Sequence, residues 1–368
     1  MLLIQTDRDS FVKPLQAVTG IVERRHTLPI LSNVLIEKIN DRLSFIATDL
    51  EIQITTTSIC DVALQDFAIT VSAKKLQDIC RALPDNMPIK LEGADNKVQI
   101  KAGKSKFSLQ TLPADDFPKL TNISDSSGEI LISQKVLKEL LSLVQYAMAQ
   151  QDIRYYLNGL LVVIEGNNLT VVATDGHRLS YANTLLETNH DKQEVILPRK
   201  TITELNKLLT DSDEIVRLEI GQNQAKFEFS NVILISKIVD GKFPDYNRVI
   251  PPSTEKKINL SRVLLLQALQ RASILSNEKF RGVRLVLTKN TLSIICNNNE
   301  QEEAQEELEI EYAGDPLDIG FNITYLMDVL NNLDCSIVSC GFGDANSSAL
   351  FTIPGNANFK YVVMPMRI

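Results

Sequence analysis

The segment Leu43-Ser-Phe-Ile-Ala-Thr-Asp49 decides the fold, because the chain contains it in three versions. It returns as Leu169-Thr-Val-Val-Ala-Thr-Asp175 after 126 residues, and as Leu292-Ser-Ile-Ile-Cys-Asn-Asn298 after 123 more. Each version is predicted to be a strand. A pattern that recurs at a fixed period indicates several copies of one structural unit. The 368-residue chain is therefore expected to contain three similar units, which suits its length.

Two helices per unit are predicted at the same period. The first shows apolar residues at helical spacing, and the second follows a helix-start signal at Ser72 or Pro198. The first helices would bury Phe11, Leu15, Val18 and Val22; Val136, Leu140, Val144 and Ala147; and Val263, Leu266 and Leu269. The second helices would bury Leu76, Ile79, Cys80 and Leu83; Ile202, Leu205 and Leu208; and Ile323, Leu326, Leu330 and Leu333.

Short alternating strands lie between these helices, such as Ile52 to Thr56 and Lys226 to Phe229. The fold class is therefore α+β: three tandem similar domains, each with two helices packed on antiparallel sheet. Linker-like segments place the domains at residues 1–125, 128–253 and 254–368. Such an array leaves two free ends, which either carry polar caps or close head to tail against another copy of the chain.

Composition argues against several classes of protein. No stretch approaches the ~20 apolar residues that span a bilayer. The start MLLIQTDRDS lacks the features of a secretion signal, so we expect a cytoplasmic protein. Five scattered cysteines predict free thiols, and three isolated histidines predict neither a metal nor another cofactor. A net charge of −8 argues against holding nucleic acid by phosphate contacts alone.

The cluster Thr174-Asp-Gly-His-Arg178 is the one segment that resembles a functional site, and it has three interpretations. Asp175 and His177 could form an acid–base pair, the segment could be a structural turn, or it could be a binding surface. The equivalent segments read Asp49-Leu-Glu51 and Asn298-Asn-Glu300. Because only one copy carries Gly-His-Arg, a binding surface is favoured.

Charged residues are distributed unevenly. In the first two units the predicted second helices carry basic residues opposite their apolar faces, whereas the third carries Asp328 and no basic residue. The basic residues form either a solvated face or a positive wall. They are Lys74, Lys75, Arg81, Arg199, Lys200 and Lys207. Lysines at 97, 101, 104 and 106 lie near the end of the first unit, whereas seven Glu occur between Glu300 and Glu311 in the third. The acidic run is either a solvated face or a patch that steers a partner edge.

Six motifs together resemble the beta subunit of bacterial DNA polymerase III, the sliding clamp family, over the whole chain. They are Thr27-Leu-Pro-Ile-Leu31, Asp152-Ile-Arg-Tyr-Tyr-Leu-Asn-Gly159, Thr174-Asp-Gly-His-Arg-Leu179, Phe243-Pro-Asp-Tyr246, Ile274-Leu-Ser-Asn-Glu-Lys-Phe-Arg-Gly-Val-Arg284 and Tyr361-Val-Val-Met-Pro-Met-Arg-Ile368. The resemblance implies a non-enzymatic processivity factor without cofactor, three clamp domains per chain and a head-to-tail homodimer that forms a six-domain ring around duplex DNA. It also implies a clamp-loader ATPase complex that opens the ring, and the replicative polymerase alpha subunit and other clamp-motif peptides as partners.

The resemblance further implies a peptide groove between the second and third domains. Its residues would be Leu157, Thr174, Gly176, His177, Arg178, Leu179, Pro244, Arg248, Val249, Asn322, Tyr325, Ser348, Val362, Val363, Met364, Pro365, Met366 and Arg367. Met and Pro side chains suit an adaptable apolar groove that accepts several partners, and Arg178 together with the backbone would fix the direction of the peptide. Without the resemblance, the tail is predicted to be a closing strand. A closing strand can also form part of a peptide groove. The family has Leu where this chain ends in Ile368.

Contacts with DNA and with a second subunit follow from the same resemblance. The DNA-facing residues would be Arg25, Lys74, Gln151, Tyr155, Tyr156, Arg199 and Lys200. The dimer interface would contain Lys75, Lys104, Lys106, Phe107, Leu109, Ile274, Leu275, Glu300, Glu302 and Glu303. Lys stands at 74 and 106 where the family leads us to expect Arg, so charge is kept but bidentate contacts are lost. Two rival hypotheses are an enzyme using Asp175 and His177, and a monomeric repeat scaffold that binds peptides.

Overall fold

The computed structural model describes residues 2–23, 27–59, 65–94, 96–121, 123, 128–252 and 254–368. The α-helices are α1 Arg8–Thr19, α2 Ala73–Ala82, α3 Gln134–Val144, α4 Arg199–Leu208, α5 Arg262–Ala272 and α6 Ile323–Asn332. The strands are β1 Leu2–Asp7, β2 Asn33–Ile39, β3 Arg42–Thr48, β4 Ile52–Ile59, β5 Phe67–Ser72, β6 Pro88–Ala94, β7 Lys97–Ala102, β8 Ser105–Leu112, β9 Glu129–Ser133, β10 Gly159–Thr174, β11 Arg178–Pro198, β12 Ile215–Ile220, β13 Gln224–Phe229, β14 Val232–Lys237, β15 Lys256–Ser261, β16 Gly282–Thr288, β17 Thr291–Asn297, β18 Glu303–Glu309, β19 Leu317–Asn322, β20 Ile337–Phe342, β21 Ala349–Ile353 and β22 Asn356–Val363.

The same order of elements occurs three times along the chain. The first copy contains β1–β8 with α1 and α2, the second β9–β14 with α3 and α4, and the third β15–β22 with α5 and α6. The second copy has fewer strand labels because β10 and β11 are long and each replaces two strands of the other copies. The repeat that the sequence predicts is therefore a structural repeat of two helices and antiparallel strands.

Most of the predicted helical faces are buried, but the first helix of the third copy buries a face that only partly matches the predicted one. Phe11, Leu15 and Val18 of α1 are buried as predicted. In α5 the buried residues are Leu265, Ala268, Leu269 and Ala272. The prediction is confirmed for Leu269, Leu266 is partly buried against the core, and the prediction is wrong for Val263, which is 43% exposed. Several apolar residues in a row made more than one stripe possible at helical spacing.

Of the two predicted helix-start signals, Ser72 lies where α2 begins and Pro198 lies one residue before α4. Ser72 is the N-cap of α2, yet its side chain makes no capping hydrogen bond. Ser261 caps α5 in the usual way, because its hydroxyl accepts a hydrogen bond from the amide of Leu264. Pro198 is the last residue of β11, so it precedes α4 and does not open it.

Two compact units can be described separately: residues 1–137 with 203–238, and residues 138–202 with 239–368. The first unit contains a twelve-stranded sheet in the order β1-β6-β7-β8-β5-β2-β3-β4-β14-β13-β12-β9. The second contains a six-stranded sheet, β10-β11-β22-β21-β20-β15, and a four-stranded sheet, β18-β17-β16-β19. The division differs from the predicted boundaries at 125 and 253, which stay a prediction.

Neighbouring copies are joined by one kind of strand pairing. Within the first unit β4 pairs with β14 of the next copy, with Ile54 opposite Leu234. Within the second unit the start of β11 pairs with β22 of the next copy, with Ser180 opposite Tyr361. Both seams therefore bring the fourth strand of one copy against the last strand of the following copy.

The same rule leaves two strand edges without a partner in the described part of the chain. β18 holds the position of β4 in the third copy, and it is the edge strand of its sheet. β8 holds the position of β14 in the first copy, and of the described strands only β7 pairs with it between Ser105 and Gln110. Exposed strand edges are sites at which another chain can pair.

Cys80, Cys296, Cys335 and Cys340 are free thiols, as predicted, and Cys60 lies outside the described residues. Among the described helices, none is long and apolar enough to cross a membrane.

Candidate functional site

The cluster Thr174–Arg178 forms the turn between β10 and β11. The amide of Gly176 donates to the hydroxyl of Thr174 at 3.1 Å. One carboxylate oxygen of Asp175 accepts hydrogen bonds from the amides of His177 and Arg178, at 2.9 and 3.0 Å. The Asp175 carboxylate is therefore used to build the turn, and the structural interpretation of this segment is confirmed.

The side chain of Arg178 is held inside the protein, with 9% of its surface exposed. Its Nε donates to Asp175 at 3.1 Å and its Nη1 donates to Asp328 at 2.6 Å. Its Nη2 donates to the main-chain oxygen of Tyr146 at 2.7 Å. The guanidinium also lies 4.2 Å from the ring centroid of Tyr325. These contacts hold the guanidinium in place, and the prediction that Arg178 and the backbone fix the direction of a bound peptide stays a prediction.

A cavity of about 210 Å³ opens beside this turn. Its deepest residues are Leu157, Leu179 and Val362, which are at most 2% exposed and belong to one apolar cluster with Phe243. The residues that line the cavity are Arg154, Tyr156, Leu157, Thr174, Gly176, His177, Arg178, Leu179, Phe243, Pro244, Tyr246, Val249, Val362 and Met364. The cavity thus combines an apolar floor with a rim of cationic and aromatic side chains.

Ten of the predicted peptide-groove residues line this cavity, and eight do not. The eight are Arg248, Asn322, Tyr325, Ser348, Val363, Pro365, Met366 and Arg367. Asn322 caps α6 by accepting a hydrogen bond from the amide of Thr324, and Tyr325 supports Arg178. Both therefore stabilise the structure behind the cavity.

Four lining residues were not predicted for the groove. Tyr156 was assigned to DNA, and Arg154, Phe243 and Tyr246 were not assigned. The signal was present, because all four lie in two of the motifs that carry the family resemblance, Asp152 to Gly159 and Phe243 to Tyr246.

Arg154 is fixed above the turn by Asp152. Its Nη2 and Nε donate to the two carboxylate oxygens of Asp152, at 2.9 and 3.0 Å. Chiefly because of the side-chain hydrogen bond from Arg154, the pKa of Asp152 falls to about 2. A Cβ atom added at Gly176 would lie 2.9 Å from Nη1 and Nη2 of Arg154, so the glycine makes room for this arginine.

The C-terminal tail passes from a strand into the cavity rim. Val362 and Val363 of β22 lie opposite Leu179 and Arg178, so the tail is a closing strand, as predicted. Beyond the strand, the amide of Met364 donates to the main-chain oxygen of His177 at 2.9 Å. This bond places the Met364 side chain, 47% exposed, over the cavity. The tail is thus both a strand and a part of the cavity.

The residues predicted to contact DNA occupy different environments. Lys74, Gln151 and Tyr155 are exposed. Arg199 is partly buried, and its Nη1 donates to the main-chain oxygen of Met148 at 2.8 Å. Burial lowers the pKa of the Arg199 guanidinium from its ordinary value. Lys200 is also partly buried, and Arg25 lies outside the described residues.

Most of the predicted dimer residues lie on β8 or β18 or in the turns beside them, and Lys75 lies on α2. The lysines at 75, 104 and 106 and the glutamates at 300, 302 and 303 are exposed. Phe107, Leu109 and Leu275 are partly buried. Ile274 has 77% of its surface exposed in the single chain.

Family models cover nearly the whole chain. Those for the N-terminal, central and C-terminal domains of the DNA polymerase III beta subunit match residues 2–121, 131–245 and 247–367. The chain belongs to the DNA polymerase III beta subunit family. Membership confirms the resemblance, the three-domain clamp fold and the function as a sliding clamp. Because a sliding clamp is a processivity factor and not an enzyme, the acid–base interpretation of Asp175 and His177 falls away.

Individual clamps are similar over their full length. The beta sliding clamps of Vibrio cholerae and Pseudomonas aeruginosa are 44% and 45% identical, over 98% of this chain and 99% and 98% of theirs. A solved P. aeruginosa DNA polymerase sliding clamp with ligand superposes with a TM-score of 0.95 at 44% identity. Another P. aeruginosa clamp, bound to griselimycin, superposes with a TM-score of 0.96 at 44% identity. Both alignments cover all of both chains.

Proposed function

We propose that this clamp closes as a head-to-tail homodimer around duplex DNA and binds polymerase peptides in the cavity beside Gly176. Each chain would supply three domains, at residues 1–125, 128–253 and 254–368, to a six-domain ring. The observation that carries this proposal is the seam rule, in which the fourth strand of one copy pairs with the last strand of the next. Both seams inside the chain obey the rule, and the third is left open at β18 and β8.

The seam rule also gives the register of the proposed contact between subunits. By their strand pairing, Phe107 holds the place of Leu234 and Tyr361 in the last strands. Ala304 holds the place of Ile54 and Ser180 in the fourth strands. Since Ile54 lies opposite Leu234 and Ser180 opposite Tyr361, Phe107 should lie opposite Ala304 of the partner.

The closed seam in the second unit indicates what Ile274 would do. Tyr146 and Ile274 both occupy the middle of the 3₁₀ turn after the first helix of their copy, Gln145–Ala147 and Ser273–Leu275. The Tyr146 ring packs against Tyr361, with the centroids 5.8 Å apart. By the same geometry, Ile274 of one subunit would cover Phe107 of the other, which accounts for its exposure in a single chain.

Charge is complementary along the two open strands. In the register above, Lys106 would face Gln305, and its diagonal neighbours on the same face of the sheet would be Glu303 and Glu307. Lys75 and Lys104, with Glu300 and Glu302, would extend the pattern. These charges would steer subunits together more than they would stabilise the closed ring.

The cavity would accept short peptides from the replicative polymerase alpha subunit and from other proteins that carry a clamp motif. Its apolar floor would take large apolar side chains, and Met364 would adapt to different ones. A groove of this kind lets several partners use one clamp in turn. The clamp-loader ATPase complex would open the ring, and the site of action would be the cytoplasm. Griselimycin, which is bound to a P. aeruginosa clamp, is the probe we propose for this cavity.

DNA would be retained by enclosure, with weak contacts from Arg25, Lys74, Gln151, Tyr155, Tyr156, Arg199 and Lys200. A chain with a net charge of −8 cannot depend on tight phosphate binding. Enclosure removes that requirement, because a closed ring leaves DNA only at an end or by opening.

Loading onto nicked circular DNA tests this function. After loading by a clamp-loader complex, the protein should remain on the circle through a wash at high salt. It should dissociate once the circle is cut once to a linear form. Retention that is lost in salt and does not depend on DNA ends would contradict enclosure. A stable monomer that still binds griselimycin would favour the peptide-binding scaffold.

A further inference from the structure

The Arg178 side chain is held by contacts within the protein, and the residue also lines the cavity wall. A guanidinium has five N–H donors. Each of its three nitrogens donates within the protein, to Asp175, to Asp328 and to the main chain of Tyr146. The Tyr325 ring also lies beneath the guanidinium, so these contacts of the Arg178 cation are all made within the protein.

Two of these contacts come from a single helix of the third copy. Asp328 and Tyr325 lie one turn apart on α6, on the same side of the helix. Asp328 accepts from Nη1, and the Tyr325 ring lies under the guanidinium, with 4.2 Å between the ring centroid and Cζ. Neither residue lines the cavity. Helix α6 therefore holds the arginine from behind the cavity wall.

We propose that Asp328, with Tyr325, is a positioning residue for the peptide cavity: it holds the Arg178 guanidinium against Asp175 and so fixes the wall. This inference rests on the proposed peptide-binding function. In this proposal the Arg178 guanidinium supports the cavity wall, and Arg154 on the rim is the cation that contacts a ligand.

Asp328 acts on the cavity wall through Arg178 and the carboxylate of Asp175. Asp175 receives the Nε of Arg178 on one oxygen and the amides of His177 and Arg178 on the other. Without Asp328, the guanidinium keeps its hydrogen bonds to Asp175 and to the Tyr146 main chain but loses its second anionic partner, so it is held less firmly. A shift of the guanidinium would move the Asp175 carboxylate, which shapes the turn carrying Gly176 and His177. Charge-assisted hydrogen bonds are the strongest in such a network, so their loss should be measurable.

Griselimycin binding to the full-length protein tests the inference. Calorimetry should show binding about tenfold weaker for Asp328→Ala, which loses one hydrogen bond to a charged group. Asp328→Glu keeps the charge and should restore the affinity to within about twofold. Asp334→Ala, at an exposed acidic residue beyond the end of α6, is the matched control and should bind like the unmodified protein.

A double variant separates positioning from a general loss of structure. If Asp328 acts through Arg178, adding Asp328→Ala to Arg178→Gln should weaken binding no further than Arg178→Gln does alone. Additive losses, or unchanged affinity in Asp328→Ala, would overturn the positioning role while leaving the cavity as the peptide site. If the unmodified protein does not bind griselimycin, the proposed peptide site and the positioning role both fail.

Discussion

Replacing Ile274 by alanine measures the proposed subunit contact directly. The side chain is 77% exposed in the single chain, and the seam geometry places it over Phe107 of the partner. Full burial of an isoleucine stabilises by about 1.5–3 kcal/mol, and a two-subunit ring contains this contact twice. Taking the lower value for each seam gives about 3 kcal/mol, so the dimer Kd should rise at least about a hundredfold.

Sedimentation velocity over a dilution series provides the assay, with dimer and monomer resolved at twice 41.1 kDa and 41.1 kDa. Ile153→Ala is the matched control, because Ile153 is 96% exposed and lies in the loop before the candidate cavity, on neither open strand. The control should leave the dimer Kd unchanged. If Ile274→Ala dimerises as tightly as the control, the transfer of geometry from the Tyr146–Tyr361 contact to the subunit interface is wrong.

Three further outcomes are expected. Lys106→Glu should slow dimer association, and Glu303→Lys in the same chain should recover part of the rate in stopped-flow measurements at low salt, because the paired positions exchange sign. Gly176→Ala should weaken griselimycin binding about tenfold without loss of the dimer, because the added Cβ would lie 2.9 Å from the Arg154 guanidinium and φ is +90°. Cys80 should resist iodoacetamide at pH 8 in peptide maps of the folded protein, because burial raises the pKa of its thiol to about 12.

The repeat made most of the fold predictable from sequence. Strand segments such as Leu43 to Asp49 and the apolar positions of the helices recur at one period, so errors in one copy could be checked against the others. Where the third copy has a run of apolar residues, at Val263 to Leu266, spacing could not choose the buried face. That choice depends on the sheet that packs against the helix, which lies far away in sequence.

The site was predictable as a set of motifs and not as a geometry. The motif residues near Gly176 and Val362 do line the cavity. Sequence could not show that the Arg178 guanidinium donates a hydrogen bond to Asp328, since the two residues are 150 positions apart. It also could not show that Asn322 is occupied as a helix cap.

Comparison of the first two copies separates the turn itself from the candidate cavity beside it. In the first copy Asp49 accepts hydrogen bonds from the amides at 51 and 52, and Leu50 has φ +77°. The turn therefore forms without glycine, even though L residues seldom adopt such a φ. Gly176 occupies the position of Leu50, so the turn itself does not require glycine there. A side chain at 176 would instead collide with the Arg154 guanidinium, which lies directly above. The turn backbone is thus shared by the first two copies, whereas Thr174, Gly176, His177 and Arg178 of the second copy line the candidate cavity.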